Sequence, residues 1–447
     1  GSEMCIRDST YGDLCDFSEN FSKVLPERTL TFILAENSIG SLLGYVAMLS
    51  NRVVPLILSH NIDKALFEHL YDLYQPKYLW VPERQVQEFD GAVVYQSHGY
   101  ALLSTGLQPA ALYDELSLLL PTSGSTGSPK LVRHSYRNIE ANARNVAQLF
   151  QLTGAERPMA ALPMHYTMGL SVIASHLYAG CTIYLSDRSL ADKEFWATMK
   201  DERITSFTGV PFSFEILQKL RFFRMDLPDL EVITQGGGKL NSELFDQCCE
   251  YAKSKGKKFI PTYGQTEGTA RMAFLEPEMA AKKQGSIGKA EPNGQLSIID
   301  NDGNETFEGD ATGEMVYRGE NVTLGYAVCG EDLIKGDENH GVLHTGDIAH
   351  RDADGYYFIV GRMKRFLKIF GLSIGLDEVE YLIKSNFSTD CVCAGSDDLL
   401  KVMITTEPLI DQVRDFVIEK THLFHKNLEV TYIEEIKRNE AGKVILH

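Results

Sequence analysis

Short apolar runs alternate with amphipathic stretches over the first two-thirds of the chain, and this alternation limits the fold more than any other feature. The runs at 30–34, 53–58, 116–120, 181–185, 205–208, 232–234 and 259–260 are short and bounded, as buried strands are. Between them, 38–50, 62–73, 135–150, 193–200, 212–220 and 242–253 carry apolar residues at helical spacing, for example Leu66, Leu70 and Leu73. Strands joined through helices are the sign of parallel pairing, because a parallel connection is long enough to hold a helix. The expectation is a large layered α/β N-terminal core with parallel strands.

The pattern changes at about residue 285. Glycine-rich β-like segments at 295–299, 313–317, 342–343 and 356–360 predict a β-rich subdomain over 285–361. Beyond the polar stretch Gly361-Arg362-Met363-Lys364, a strand at 366–369 is followed by a helix at 377–383. Strands at 390–394 and 400–405, a helix at 409–421 and a strand at 429–433 complete the order. This predicts a compact α+β C-terminal lobe over 362–447, set apart from a core over 1–361.

With 44% hydrophobic and 23% charged residues, the 447-residue chain has the composition of a globular protein, which excludes disordered and disulfide-stapled classes. Lys and Arg number 43 against 61 Asp and Glu, a formal charge of −18 that repels phosphate backbones and argues against nucleic acid as a partner. A small anionic ligand remains open, since a few cations and backbone N–H groups suffice to hold phosphates. The eight cysteines show no zinc spacing; Cys248 and Cys249 are adjacent, and Cys391 and Cys393 alternate within a strand run. They read as buried reduced thiols. No apolar run reaches the ~20 residues needed to span a bilayer, and the N-terminus lacks the basic-then-apolar pattern of a secretion signal. The expectation is a cytoplasmic protein with no membrane partner.

The run Pro121-Thr-Ser-Gly-Ser-Thr-Gly-Ser-Pro-Lys130 follows a strand and precedes a helix. Its glycines permit a tight backbone turn. Hydroxyls at Thr122, Ser123, Ser125, Thr126 and Ser128, with the charge of Lys130, suit a polyphosphate. The spacing is not that of a Walker P-loop. Taken bare, it also fits a flexible Ser/Gly surface loop.

This loop resembles the signature loop of the adenylate-forming superfamily, which holds acyl-CoA synthetases, nonribosomal adenylation domains and luciferases. Further motifs of that family follow in order. Thr10-Tyr11-Gly12-Asp13-Leu14 resembles the first. Gln235-Gly236-Gly237-Gly238-Lys239-Leu240 resembles the adenine-contacting strand end, and Thr262-Tyr263-Gly264-Gln265-Thr266-Glu267 the Y-G-x-T-E motif. Gly313-Glu314 with Gly325-Tyr326, His344-Thr345-Gly346-Asp347, Gly361-Arg362 and Asn439-Glu440-Ala441-Gly442-Lys443 are similar to the rest. The chain departs from the pattern at Leu131, where the family usually has Gly.

The resemblance implies ATP-dependent activation of a small-molecule carboxylic acid as an acyl-adenylate, with release of pyrophosphate. Transfer to a pantetheine thiol of CoA or of an acyl carrier protein follows. Transfer to an amine and a non-catalytic nucleotide-binding relative are the alternatives. It implies that adenine stacks on Tyr263 beside Gly236, Gly237, Gly238 and Gly264, that Thr266 meets the α-phosphate, and that Glu267 binds Mg²⁺. Asp347 would take the ribose hydroxyls with Arg362 as a second contact. Lys443 would neutralise charge developing at the α-phosphorus. Lys364 would be the hinge of a mobile C-terminal lobe. Gly371 would line a pantetheine tunnel, although a tight turn explains that glycine nearly as well.

His165, in the run 162–170, stands where amino-acid-activating relatives usually carry an Asp for the substrate ammonium. This points to an acid without an α-amino group. With Met168, Phe212 and Met272, His165 would line the acyl pocket; a packed core histidine is the other reading.

Overall fold

The computed structural model describes residues 9–25, 28–122, 130–369, 372–396, 399–421, 423–438 and 444. The chain divides into two compact units. The first comprises Gly1–Thr208, Thr266–Ala270 and Glu320–Gly341, and the second Gly209–Gln265, Arg271–Gly319 and Val342–His447.

The first unit is organised by the strand Leu30–Ala35, of which every residue is buried. Alternate side chains of a strand point to opposite faces. Leu30, Phe32 and Leu34 enter one hydrophobic cluster with Leu70 and Tyr74, and Ile33 and Ala35 enter another with Phe21 and Trp80. A strand buried on both faces is a near-continuous apolar run, which is what the sequence carries. Full burial of each large side chain stabilises by roughly 1.5–3 kcal/mol. Val54–Ser59 and Tyr78–Pro82 flank this strand in parallel, and Leu116–Pro121 pairs in parallel with Val54–Ser59. Helices Ile39–Ser50 and Lys64–Tyr74 make the crossovers, with N-caps from the Ser38 and Asp63 side chains.

The sheet is not parallel throughout, contrary to the sequence expectation. Tyr100–Ser104 and Ala92–Ser97 close one edge in antiparallel pairing. On the other edge, Leu131–Ser135 folds back on Leu116–Pro121, and Gly325–Ala327 pairs beyond it. The run expected as a strand at 181–185 is strand at Tyr184–Leu185.

In the second unit, Val232–Gln235 and Lys258–Tyr263 pair in parallel across the helix Ser242–Lys255. Next comes an antiparallel sheet of five strands in the order Glu305–Thr306, Gln295–Ile299, Ala311–Arg318, Val342–Arg351, Tyr357–Arg362. Four of these strands are the β-like segments read from the sequence, several of them longer, and Glu305–Thr306 was not expected. The C-terminal part begins with an antiparallel pair, Phe366–Ile369 and Leu372–Gly375, of which the second strand was not expected. Helix Leu376–Asn386, strands Cys391–Ser396 and Leu399–Ile404, helix Ile410–Thr421 and strand Leu428–Tyr432 follow in the expected order. They enclose a core of their own that includes Ile383, Cys391, Cys393, Val402 and Val413. Burial pushes the Cys391 thiol up to about 12, so it stays protonated and inert.

Candidate functional site

The predicted phosphate loop closes a hairpin. Pro121 and Leu131 are paired, and the Thr122 N–H donates to the Lys130 carbonyl at 3.0 Å. Ser123, Ser125 and Thr126 lie outside the described residues. The loop does not run into a helix as expected. The strand Leu131–Ser135 intervenes, all five residues buried, and helix Tyr136–Phe150 starts after it on a Ser135 cap. That helix N-terminus therefore does not open from the loop. Two polar residues, Arg133 and His134, disguise the strand in the sequence.

Arg133 is fully buried. Its Nε donates to the Tyr326 carbonyl at 3.0 Å, and its Nη atoms donate to the carbonyls of Lys335, Gly336 and Leu324 and to the Glu338 carboxylate. One buried cation thereby satisfied gathers the segment 324–338 onto the strand that follows the loop. Gly325 suits that place, because its φ of +121° is a conformation that strains any L side chain. Tyr326 then stands beside the loop's end. Its hydroxyl donates to Glu267 Oε1 at 2.7 Å, and Lys130 Nζ lies 5.4 Å from its ring centre. Burial, followed by the charge of Glu267, raises the Tyr326 phenol, which keeps it a donor.

Thr266 and Glu267 occupy the helical turn Thr266–Gly268. Thr323 N–H donates to the Glu267 carbonyl at 3.0 Å, and Asn321 Nδ2 to the Gly268 carbonyl at 2.8 Å. His134 is buried near the Thr266 backbone; burial pushes its pKa down to about 4, so the ring is neutral at pH 7. Among the described residues no group of three or more His, Cys, Asp or Glu could hold a metal ion. Glu267 with the neighbouring hydroxyls is instead a hard oxygen set with a single carboxylate. That suits Mg²⁺, which takes one or two carboxylates and keeps waters or substrate phosphates as its other ligands.

The second unit carries the other group. Strands Val232–Gln235 and Lys258–Tyr263 lie in register and end together, Gln235 opposite Pro261. Gly236, Gly237 and Gly238 leave the first strand, and Tyr263 and Gly264 end the second. The carboxyl ends of parallel strands are where open α/β sheets bind ligands. Gln235 Nε2 fixes the glycine run by donating to the Gly238 carbonyl at 2.7 Å, and Thr262 Oγ1 ties the strands by donating to the Gln235 carbonyl at 3.0 Å.

Asp347 and Arg362 are opposite each other on neighbouring strands. Asp347 is 2% exposed. The Tyr263 hydroxyl donates to its Oδ2. Gln265 Nε2 donates to the same oxygen at 3.0 Å, to the Thr345 carbonyl at 2.9 Å and to the Tyr263 oxygen at 3.1 Å. Burial, then the Asp347 charge, holds the Tyr263 phenol well above its ordinary range. Oδ1 of Asp347 is 3.1 Å from Arg362 Nε as an ion pair, yet it is buried and accepts no hydrogen bond among the described residues. A buried carboxylate oxygen in that condition has capacity for a further donor.

The other predicted residues fall as follows. His165 is half-buried, its ring 4.5 Å from that of Tyr166, and Met168 is on helix Thr167–Tyr178; both belong to the first unit. Phe212, exposed on helix Pro211–Lys219, and Met272, fully buried, belong to the second. Lys364 is in the turn Met363–Arg365. Gly371 and Lys443 lie outside the described residues. The roles of Gln265 and Arg133 were missed by sequence reasoning. Gln265 fills a variable motif position and carries no signal. Tyr326 was matched through the dipeptide Gly325-Tyr326 but given no role.

Residues 6–327 match the AMP-binding enzyme family, and the chain belongs to it. It is 33% identical over 342 residues to an indoleacetate–CoA ligase of Aromatoleum aromaticum, across 73% of this chain and 65% of that relative. It is 27% identical to a luciferin 4-monooxygenase of Luciola mingrelica, across 74% of this chain and 62% of the relative. A 2-succinylbenzoate–CoA ligase of Oceanobacillus iheyensis is 28% identical, across 76% and 71%. The chain thus spans somewhat under two-thirds of the length of the first two. The fold is that of o-succinylbenzoate CoA synthetase from Bacillus subtilis, solved with its acyl-adenylate intermediate: TM-score 0.77 at 20% identity, over 97% of this chain and 92% of that one. No helix among the described residues is long and apolar enough to cross a membrane.

Proposed function

We propose that this protein is an AMP-forming acid–thiol ligase. A carboxylic acid and ATP give an acyl-adenylate and pyrophosphate, and a pantetheine thiol, of CoA or of a carrier protein, then displaces AMP. The observation that carries the nucleotide part is Asp347. Its buried Oδ1 accepts no hydrogen bond among the described residues and has only the Arg362 ion pair, while Tyr263 and Gln265 hold Oδ2 in place. A ribose hydroxyl supplies the missing donor, and Arg362 adds a second contact. Tyr263 presents its ring to the adenine beside Gly236, Gly237 and Gly238, with Gly264 leaving room at the strand end. Thr122, Ser123, Ser125, Thr126 and Lys130 take the phosphates, and the Thr266 hydroxyl meets the α-phosphate.

Glu267 would hold Mg²⁺, which when bound offsets negative charge on the phosphates. The chain's own work is placement: the acid's carboxylate oxygen is brought in line with the α-phosphorus, and Lys443 offsets the charge that develops there. The bond from that oxygen to phosphorus forms as the bond to pyrophosphate breaks. In the second step the thiol sulfur attacks the acyl carbon, AMP leaves, and the thiol proton passes to solvent. Lys364 is the hinge, Gly371 gives passage to the pantetheine arm, and His165, Met168, Phe212 and Met272 line the acyl pocket.

CoA ligases among the relatives favour CoA as acceptor. The test is pyrophosphate release across a panel of carboxylic acids, with and without CoA. At least one simple acid should release pyrophosphate and form thioester when CoA is added. Each α-amino acid should be poorer than its deamino analogue, because an ammonium buried without a carboxylate partner costs several kcal/mol. Preference for the amino acid would overturn the reading of His165. Nucleotide binding without pyrophosphate release from any acid would favour a non-catalytic relative.

A further inference from the structure

We propose that Tyr326 is the positioning residue of the nucleotide's metal site: its hydroxyl sets the Glu267 carboxylate, and its ring seats Lys130. The inference rests on the roles proposed above for Glu267 and Lys130.

Tyr326 is 40% exposed, so core packing does not explain its place. Its backbone is nevertheless tightly fixed. It pairs with Val132 in the strand register, its carbonyl accepts from Arg133 Nε at 3.0 Å, and Gly325 before it holds a φ of +121° that strains any side chain. From that anchor the phenol reaches Glu267 Oε1 at 2.7 Å, 59 residues away in sequence. The Thr323 N–H holds the Glu267 carbonyl at 3.0 Å, so the glutamate is fixed at both its backbone and its carboxylate.

A glutamate on a surface turn ordinarily samples several rotamers, and a metal ligand that must be ordered on binding binds more weakly. A neutral phenol is the right donor for this task. It takes one lone pair of the carboxylate and leaves its negative charge for the metal, whereas Arg or Lys there would neutralise it. The face of the same ring attracts the Lys130 ammonium at 5.4 Å. The phosphate cation and the metal carboxylate thus take their places from one side chain.

The experiment is Mn²⁺ binding by electron paramagnetic resonance, with the protein saturated by α,β-methylene-ATP, for wild type, Tyr326→Phe, Tyr326→Leu, Glu267→Gln and the double variant Glu267→Gln/Tyr326→Phe. Tyr326→Phe keeps the ring and should weaken Mn²⁺ by about tenfold, as loss of a ligand-orienting hydrogen bond does. Binding of the analogue without metal should change less than about twofold, since the Lys130 contact survives. Tyr326→Leu should weaken that binding as well. In the Glu267→Gln background, Tyr326→Phe should add nothing. Unchanged Mn²⁺ affinity in Tyr326→Phe, or an equal loss with and without Glu267, overturns the proposal. If Glu267→Gln itself leaves Mn²⁺ affinity intact, the metal role of Glu267 is what fails.

Discussion

Asp347 is 2% exposed and accepts from Tyr263 and Gln265, whereas Tyr326 is 40% exposed and reaches Glu267 through one hydrogen bond. On the proposed reading the first group takes the base and ribose, and the second the phosphates and metal. The contrast follows from what each must do. A nucleoside keeps its shape through the reaction, so a buried, interlocked network can match it in advance. Phosphates break apart, and Mg²⁺ brings its own waters. Residues there must be placed from a firm base while their ends stay accessible. Arg133 and His134 supply that base from inside the sheet. Affinity should therefore depend chiefly on the buried group and turnover chiefly on the accessible one.

The largest effect should come from Lys443→Ala, the variant proposed to act on turnover alone. It should slow acyl-adenylate formation by ~10²–10³-fold, the range for removing one group that stabilises transition-state charge. ATP affinity should stay within a few-fold, and a supplied acyl-adenylate should become thioester at a near-normal rate. Equal loss in both half-reactions would show that Lys443 does not act in adenylation alone, and a loss of ATP affinity as large as the loss of rate would break the division.

The support beneath the exposed group has its own signature in acid. His134 takes up a proton in the unfolded chain below its ordinary 6.5, but in the fold only below about 4. The unfolded state binds more protons across that window, so stability is complete above pH 6.5 and declines as pH falls toward 4, by up to ~3 kcal/mol. Urea unfolding at a series of pH values should show this decline, and His134→Leu should flatten it. An unaltered slope in the variant would remove His134 as its source.

For the buried group, Tyr263→Ala should weaken ATP by ~1–3 kcal/mol, the range for a base stacked on an aromatic ring. Calorimetry that finds no change would take Tyr263 out of the nucleotide site. The smallest effect should come from Arg362→Gln. Its side chain is 56% exposed, so solvent screens its contact more than that of the buried Tyr263. A loss in ATP affinity matching that of Tyr263→Ala would show that exposure does not grade the contacts within the buried group.

Much of this architecture was legible in the chain because strands buried on both faces must be apolar throughout. Leu30–Ala35 and Val54–Ser59 announce themselves for that reason. Leu131–Ser135 does not, since Arg133 and His134 are polar in composition yet buried in fact. What makes them tolerable, the carbonyls of 324–338 and the enclosure of a neutral ring, lies far off in sequence. Motif spacing led to Tyr263, Glu267 and Asp347 because each sits in a distinctive short run. Gln265 and Tyr326 act through partners 59 to 82 residues distant, and no local pattern records such a pairing.

The closed ends of the 123–129 connection bear on how variants of this protein should be judged. With Thr122 bonded to Lys130 and Pro121 paired with Leu131, the span across the hairpin mouth is fixed by the sheet. Adding or deleting a residue inside such a mouth changes the chain's closure entropy by only ~0.1–0.2 kcal/mol. By that term alone, length variants would melt together with the wild type, even where the phosphate contacts proposed for this connection are lost. Thermal screening is blind to that failure, and the variants must be sorted by nucleotide binding instead.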